Sequence, residues 1–403
     1  MNFVIYSYNF FPQADAESFC ATRFASALAR AGHKVTVVTM DWPNMVSQKT
    51  YDALVPKDLN IVRIPFSTKK NSSIKALLWY GHRTQMAVDV PQSIKVLKSI
   101  LKKTEEPILV TRTAPVMSTM VGLKTYKYAH KWIAHFSDPT PWIGTYSNSI
   151  GHRLLKKQEM NILHKAFSKA DGISVTCMHV CKYFQDLYGK VFDVSKVFMT
   201  THIGDYRLDS APSHEENTEV ERILLHPGTI YAYRGGSTIC GVMKQLAAED
   251  YDCKFIQIGE VDASIKKVLI NSDNIEVHNS ISAEKSVELR KKAKAIFVPD
   301  FESELTYSPF ILSKFVYQIM SNKPIVLYAK EDSEMHDYAI KYPEAGIFWA
   351  KANNEGALKD AIKKAMDFDV AKIDRTNIRK CFSEEVIVTD FVNNIGKLNE
   401  KNN

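Results

Sequence analysis

No apolar run in this chain reaches the roughly 18 residues that a membrane-spanning helix needs. The P-loop pattern is absent, and so is the G-x-S-x-G turn that lifts a nucleophilic serine above a sheet. The first loop after a predicted strand, PQADAES, contains no glycine, so a Rossmann dinucleotide fingerprint is missing as well. The spacing CMHVC invites a metal, but on a predicted helix Cys177 and Cys181 share a face while His179 points elsewhere. No second ligand cluster accompanies it, and no metal is expected. The six cysteines (Cys20, Cys177, Cys181, Cys240, Cys253 and Cys381) are scattered through apolar segments. They read as buried free thiols of a reducing compartment, not as a disulfide framework. The opening MNFVIYSYNFFPQ lacks a basic leader and a cleavage site, so it reads as a core strand and the protein as cytoplasmic. Motifs that bind nucleic acid are missing too. Hydrolase, ATPase and metalloenzyme readings all lose ground.

What is present is ordinary in bulk and uneven in charge. The 403 residues are 45% hydrophobic and 24% charged, which suits a soluble globular chain of two domains. Residues 1–210 carry 27 Lys+Arg and 15 Asp+Glu, while the remainder carries 25 and 30. A basic half beside an acidic half implies different partners, and an anionic membrane surface or an anionic ligand suits the first. NSSIKALLWYGHR and the helix carrying Lys95, Lys98, Lys102 and Lys103 fit two readings. One is an interfacial pair lying on a membrane, and the other is packing on a sheet with a solvated basic edge.

Apolar strands alternate with helical patterns throughout. Phe3–Ser7, a helix with Cys20, Phe24 and Leu28 on one face, and Val35–Thr39 make a β-α-β unit. Further strands are expected at 60–64, 108–111, 132–136, 170–176 and 197–201. Polar, acidic RLDSAPSHEENTEVE (207–221) reads as a linker, after which the rhythm restarts at 222–226, 253–258, 274–278 and 295–298. Helices are expected at 283–292, 354–366 and 383–398, with an edge strand at 346–349. The predicted fold is α/β, with two Rossmann-like doubly wound domains facing a cleft. Their bounds are 1–206 and 222–383, with a terminal helix and tail over 384–403.

FESELTYSPFILSKFVYQIMSNKPIVL (301–327) reads as loop, helix, turn and buried strand. Ser308 suits an N-cap and Pro309 the first helical position, so the helix would open there onto an anion such as a diphosphate. Ser313 and Lys314 would lie in its first turns. Gly228 and Thr229, Arg234, and Gly259 with Glu260 follow other strands of this half and would join that wall. In the first half, Asp138 lies beyond a strand end, where open α/β sheets bind ligands, while His135 alternates inward and suits a core position.

These segments resemble a known family in their order. FPQADAESFCATRFASALARAGHKVTVVT, WIAHFSDPTPW, KADGISVT, HIGD, HPGTIYAYRGG, QIGE and SPFILSKFVYQIMSNKPIV together look like a family 4, GT-B-fold glycosyltransferase of the bacterial surface-polysaccharide or lipopolysaccharide type. The resemblance implies retention at the anomeric carbon, a nucleotide-sugar donor held mainly by the second domain, and a glycan or lipid-linked glycan acceptor held mainly by the first. It places Gly228, Thr229 and Arg234 on the diphosphate. Ser308, Pro309 and Phe310 would meet phosphates and sugar, with Ser313 and Lys314 beside them. Asp138, or Ser137 before it, would face the reacting sugar. No cofactor is implied, and the cytoplasmic face of the membrane is the expected setting.

The chain departs from the family where a glutamate commonly grips the ribose. Tyr317 stands there, and Pro309 stands at the other common glutamate position eight residues earlier. Tyr317 or Gln318 would then replace the ribose contact. A sugar-nucleotide epimerase of the same fold would need paired acid/base groups, of which none is clear. A non-catalytic scaffold is the other alternative, and Tyr317 is the feature that fits it.

Overall fold

The computed structural model describes residues 1–67, 86–141, 149–204, 220–270, 272–279, 281 and 283–400. Most of the expected linker and the NSSIKALLWYGHR stretch lie outside them. The chain divides into two compact units, Met1–Ile203 with Phe382–Asn403, and Gly204–Cys381.

The first unit is built on a parallel sheet of β1 (Asn2–Ser7), β2 (Lys34–Met40), β3 (Asn60–Ile64), β4 (Pro107–Thr113), β5 (Lys131–Phe136), β6 (Gly172–Val175) and β7 (Val197–Met199). Their spatial order is β3-β2-β1-β4-β5-β6-β7. β4, β5 and β6 are buried along their whole length, as expected of strands covered on both faces. The helix Ala16–Arg30 (α1) starts where Asp15 accepts the Ser18 amide at 2.7 Å, with Glu17 in its first turn and Arg30 in its last. Those charges complement the helix dipole. The basic helix Met86–Lys103 turns Val90, Leu97 and Leu101 inward and leaves Lys95, Lys102 and Lys103 exposed.

One expected element begins later than its pattern implied. The helix after β6 covers His179–Tyr188, so Cys177 precedes it and shares no helical face with Cys181. The strand before it has already ended, and the intervening residues form a bend.

The second unit repeats the plan with β8 (Glu221–Pro227), β9 (Lys254–Ile258), β10 (Ile275–His278), β11 (Ala293–Pro299), β12 (Ile325–Ala329) and β13 (Ile347–Lys351). All pair in parallel in the order β10-β9-β8-β11-β12-β13, which puts 347–351 at the edge. The helices Ser237–Ala248 and Glu355–Asp367 bury Val242, Met243, Leu246, Leu358 and Ile362 against Leu224, Phe297 and Val326 of the sheet. Each such side chain contributes about 1.5–3 kcal/mol of apolar transfer.

The last helix, Glu384–Glu400, belongs to the first unit, although sequence analysis set it apart from both halves. Its Phe391 packs on Phe3, Phe24 and Phe198, with ring centroids 5.9, 4.9 and 5.8 Å away.

Candidate functional site

In an open parallel sheet, ligands bind beyond the carboxyl ends of the strands where the winding reverses. In the second unit that point lies between β8 and β11. β8 delivers Gly228 and Thr229, and β11 delivers Asp300.

Gly228 has φ +141°, and a Cβ there would overlap the Lys314 ammonium. Gly259, at φ +116°, backs onto it, because a Cβ would come within 2.9 Å of the Gly228 carbonyl carbon. Gly228 is therefore required by conformation, and Gly259 by conformation and by space. Gln257 donates to the Gly228 carbonyl at 2.6 Å, and the Ile230 amide donates to the Glu260 carbonyl at 3.0 Å. The two strand-end loops are thus tied together. The Glu260 side chain itself is exposed.

Lys314 is mostly buried, and its ammonium reaches the Thr229 carbonyl at 3.4 Å. Burial, and then the Arg234 charge, pull its pKa down to about 8. Beneath it His226 is fully buried, with Nδ1 3.0 Å from the Phe297 carbonyl and Nε2 3.4 Å from that of Thr229. Burial first, and Lys314 next, push that imidazole down to about 3, so it is neutral at pH 7. The Arg234 guanidinium lies over the rings of Tyr231 and Phe301, 5.6 and 5.7 Å from their centroids. It adjoins Gly235, where the turn into the helix 237–248 has φ +67°. Two cations therefore share one partly desolvated strand-end site, an arrangement that favours an anion.

Asp300 is 1% exposed, and burial raises its pKa to about 6 even though the Ser308 side chain and the Phe301 amide lower it. Lys330 holds the loop that follows, donating to the Ser303 carbonyl and hydroxyl at 2.9 Å each and to the Leu305 carbonyl. Asp300, His226, Gln257 and Lys330 were missed as site residues. The only signal was a polar residue closing an apolar strand, as in IFVPD and ILLHP.

The helix of the 301–327 stretch corrects the sequence reading. It covers Ser313–Ile319, with Leu312 at the N-cap and no side-chain cap. Ser308 instead belongs to a two-residue strand, where Tyr307 and Ser308 pair with Asp332 and Ser333. Pro309 and Phe310 are buried, and Phe310 packs on Phe301 at 5.4 Å. Strand pairing and burial hold the segment extended, which moves the helix start to Ser313. The first intrahelical bonds come from Phe315 and Val316 to the Leu312 carbonyl, so the Ser313 and Lys314 amides lead the helix.

That helix is gripped from its other end. Arg375, 2% exposed, donates to the carbonyls of Ala345, Gln318, Ser321 and Lys323 at 2.6–2.8 Å. Arg379 adds bonds to the Ile319, Met320 and Ser321 carbonyls. Tyr317, in the position of the expected glutamate, accepts from Arg290 at 3.2 Å.

In the first unit, Arg112 is 2% exposed, bonded to Glu17 at 2.7 Å and to the Ser137 hydroxyl at 3.1 Å. His135 is buried with Nδ1 2.9 Å from Ser174 Oγ, and burial holds its pKa well below the ordinary value. Its Nε2, Thr200 Oγ1 and Thr201 Oγ1 have no hydrogen-bond partner among the described residues, and the three side chains line a small void beside Cys20. Asp138 is half-buried just beyond β5. The structure therefore brings Gly228, Thr229, Arg234, Gly259 and Lys314 together, while Ser137 and His135 face inward.

Among the described residues, no group of three or more His, Cys, Asp or Glu side chains could hold a metal ion. Of the Asp-x-Asp pairs, Asp250/Asp252 and Asp367/Asp369, Asp367 accepts from Arg222 at 2.9 Å, and that arginine also reaches the Asp252 carbonyl at 2.8 Å.

No family model matches the chain, and no curated protein matches it. Solved structures do match along nearly its whole length. HepE from Anabaena, crystallised with UDP and glucose, superposes with a TM-score of 0.66 at 10% identity, covering 98% of this chain and 100% of that one. A variant of S. aureus TarM, crystallised with fondaparinux, alpha-GlcNAc-glycerol and UDP, gives 0.65 at 12%, covering 98% and 99%. A putative UDP-N-acetylglucosamine 2-epimerase from Listeria monocytogenes gives 0.57 at 11%, covering 99% and 97%. At such identities the likeness is one of fold, and the chain has the two-sheet GT-B fold.

Proposed function

We propose that this protein is a retaining glycosyltransferase that moves a sugar from a nucleotide-sugar donor to a growing, lipid-linked surface glycan. The observation that carries the reading is the pair Arg234 and Lys314 beside the glycine-cleared Gly228–Thr229 loop. It offers two cations and close backbone approach to a diphosphate, and the leading amides of the helix 313–319 stand next to Lys314. When the bond from the anomeric carbon to the diphosphate breaks, the electron pair stays on the phosphate oxygen. Cations already fixed there stabilise that charge without reorganisation. With this task met by side chains, no divalent metal is required.

The fold relatives support the donor class, since HepE and TarM are crystallised with UDP. An epimerase would need an acid/base pair about the sugar, and the two cations of this site suit a diphosphate leaving group instead. Asp138 is the first-unit group assigned to the reacting sugar. The exposed lysines of the helix 86–103 suit a peripheral position on an anionic membrane surface. That would be its cytoplasmic face.

The test is thermal unfolding against UDP, GDP, ADP and CDP, followed by sugar transfer with the responding class. A nucleotide at 100 times its Kd stabilises the folded state by about 2.7 kcal/mol. One class should respond, with the effect lost in Arg234→Ala, and the anomeric proton of the product should show retention. No response to any nucleotide overturns the donor site, and binding without transfer to any acceptor favours the scaffold.

A further inference from the structure

The carboxyl edge of the first sheet carries a second opening, away from the β1/β4 reversal. It is a cavity of about 230 Å³ lined by Pro12, Asp41, Trp42, Asn44, Tyr51 and Arg63, with Gln48 at its side. Pro12 comes from the loop after β1, Asp41 to Asn44 from the loop after β2, Gln48 and Tyr51 from the short helix Gln48–Leu54, and Arg63 from β3.

Its frame is rigid. The Trp42 indole donates to the Tyr8 carbonyl at 2.9 Å and meets Phe66 edge-on at 4.7 Å. Arg63 donates to the Phe11 carbonyl at 2.9 Å and reaches the Tyr51 hydroxyl at 3.5 Å. The Met45 amide donates to the Pro12 carbonyl at 3.0 Å, which fastens the second loop to the first. Against this frame the Asp41 and Asn44 side chains are exposed and make no hydrogen bond among the described residues.

The chemistry differs from that of the Lys314 site. One carboxylate balances one guanidinium, and two carboxamides and a phenol complete the polar set. A phosphate would call for an excess of cations, which this opening does not have. Two aromatic side chains beside donors and acceptors suit a neutral, hydroxylated ring: its C–H face packs on an aromatic wall and its hydroxyls bond to carboxylate and amide. The volume falls below the roughly 300–1,000 Å³ of sites for drug-sized ligands, on the scale of a single sugar ring.

We infer that this opening binds one sugar residue of the acceptor glycan, with Asp41 and Asn44 as its hydroxyl partners. The inference rests on the proposed transferase function for the word acceptor, and on the geometry of the first unit for the ligand class.

Saturation-transfer NMR with a panel of methyl glycosides (glucoside, galactoside, mannoside, rhamnoside and N-acetylglucosaminide) tests it. Wild type is compared with the double variant Asp41→Ala/Asn44→Ala, and the thermal response to UDP is measured on both. At least one glycoside should receive saturation from wild type, and the double variant should weaken its binding by about tenfold, the loss of two ordinary hydrogen bonds. The UDP response should be the same in both proteins. No transfer to any glycoside, or undiminished transfer in the double variant, overturns the inference. A UDP response lost along with glycoside binding also overturns it, because the two side chains would then act through the fold. Glycoside binding by a wild type that answers to no nucleotide leaves a sugar pocket and overturns the transferase reading instead.

Discussion

Replacing Lys314 with methionine should push stability and donor binding in opposite directions. In the folded protein burial and Arg234 bring the Lys314 pKa from 10.5 to about 8, so holding the charged form there costs free energy at neutral pH. At 1.36 kcal/mol per unit the full cost would be roughly 3 kcal/mol, and partial exposure reduces it to roughly 1–2 kcal/mol. Methionine keeps the stem without the charge. Lys314→Met should therefore raise the melting temperature of the second unit at pH 7 by about 2–8 °C, at roughly 2–4 °C per kcal/mol for a unit of this size. The same change should weaken nucleoside diphosphate binding by about 10- to 150-fold, the loss of one charge-assisted hydrogen bond worth 1.5–3 kcal/mol.

The pH dependence separates this account from a simple packing effect. Between pH 8 and 10.5 the unfolded lysine binds more protons than the folded one, so wild-type stability rises with pH in that window relative to the variant. The gap between the two proteins should close as pH climbs through it. Differential scanning fluorimetry from pH 7 to 10.5, with and without UDP, measures both effects. A variant that melts lower than wild type, or a gap independent of pH, refutes the electrostatic reasoning. A variant that keeps its UDP response refutes the assignment of Lys314 to the diphosphate.

Two further expectations come from the same unit. Asp300→Asn should stabilise the protein above pH 6 by at most about 3 kcal/mol, because the buried carboxyl's pKa of about 6 makes ionising it costly there. The advantage should vanish as pH falls toward 4, where the folded carboxyl is protonated, and urea unfolding across that range would show it. Arg375→Met should destabilise the second unit by about 3 kcal/mol or more, since four backbone carbonyls lose their donor, with Arg375→Lys intermediate. Equal stability of the Met variant and wild type would show that those carbonyls find other partners.

Much of the fold was legible because its strands are continuous apolar runs punctuated by polar loops. Asn60–Ile64 and the helix 283–292 fall on the expected residues, and the parallel order follows from alternating strand and helix. The start of the helix before β12 was not. Ser308-Pro309 has the chemistry of a cap and first turn, but the partner that overrides it, Ser333, lies 25 residues downstream on a segment with no apolar signature. Lys314 could be picked out as a cation near a helix start, yet its depressed pKa depends on burial and on Arg234, 80 residues away. Asp300 was passed over because a carboxylate after a strand looks like any loop residue until its burial is known. Tyr317 was noticed for what it replaces. Its bond to Arg290 comes from a neighbouring helix that local pattern could not connect to it.

The return of the last helix to the first unit has a consequence for how the protein is made. The second unit is one uninterrupted stretch, Gly204–Cys381, inserted into a first unit that needs residues from both ends of the chain. A ribosome has joined every residue of the second unit before it adds Phe391, the ring that covers Phe3, Phe24 and Phe198. The unit synthesised first is therefore the one completed last. Until the final helix docks, Phe3, Phe24 and Phe198 stay open to solvent and to chaperones.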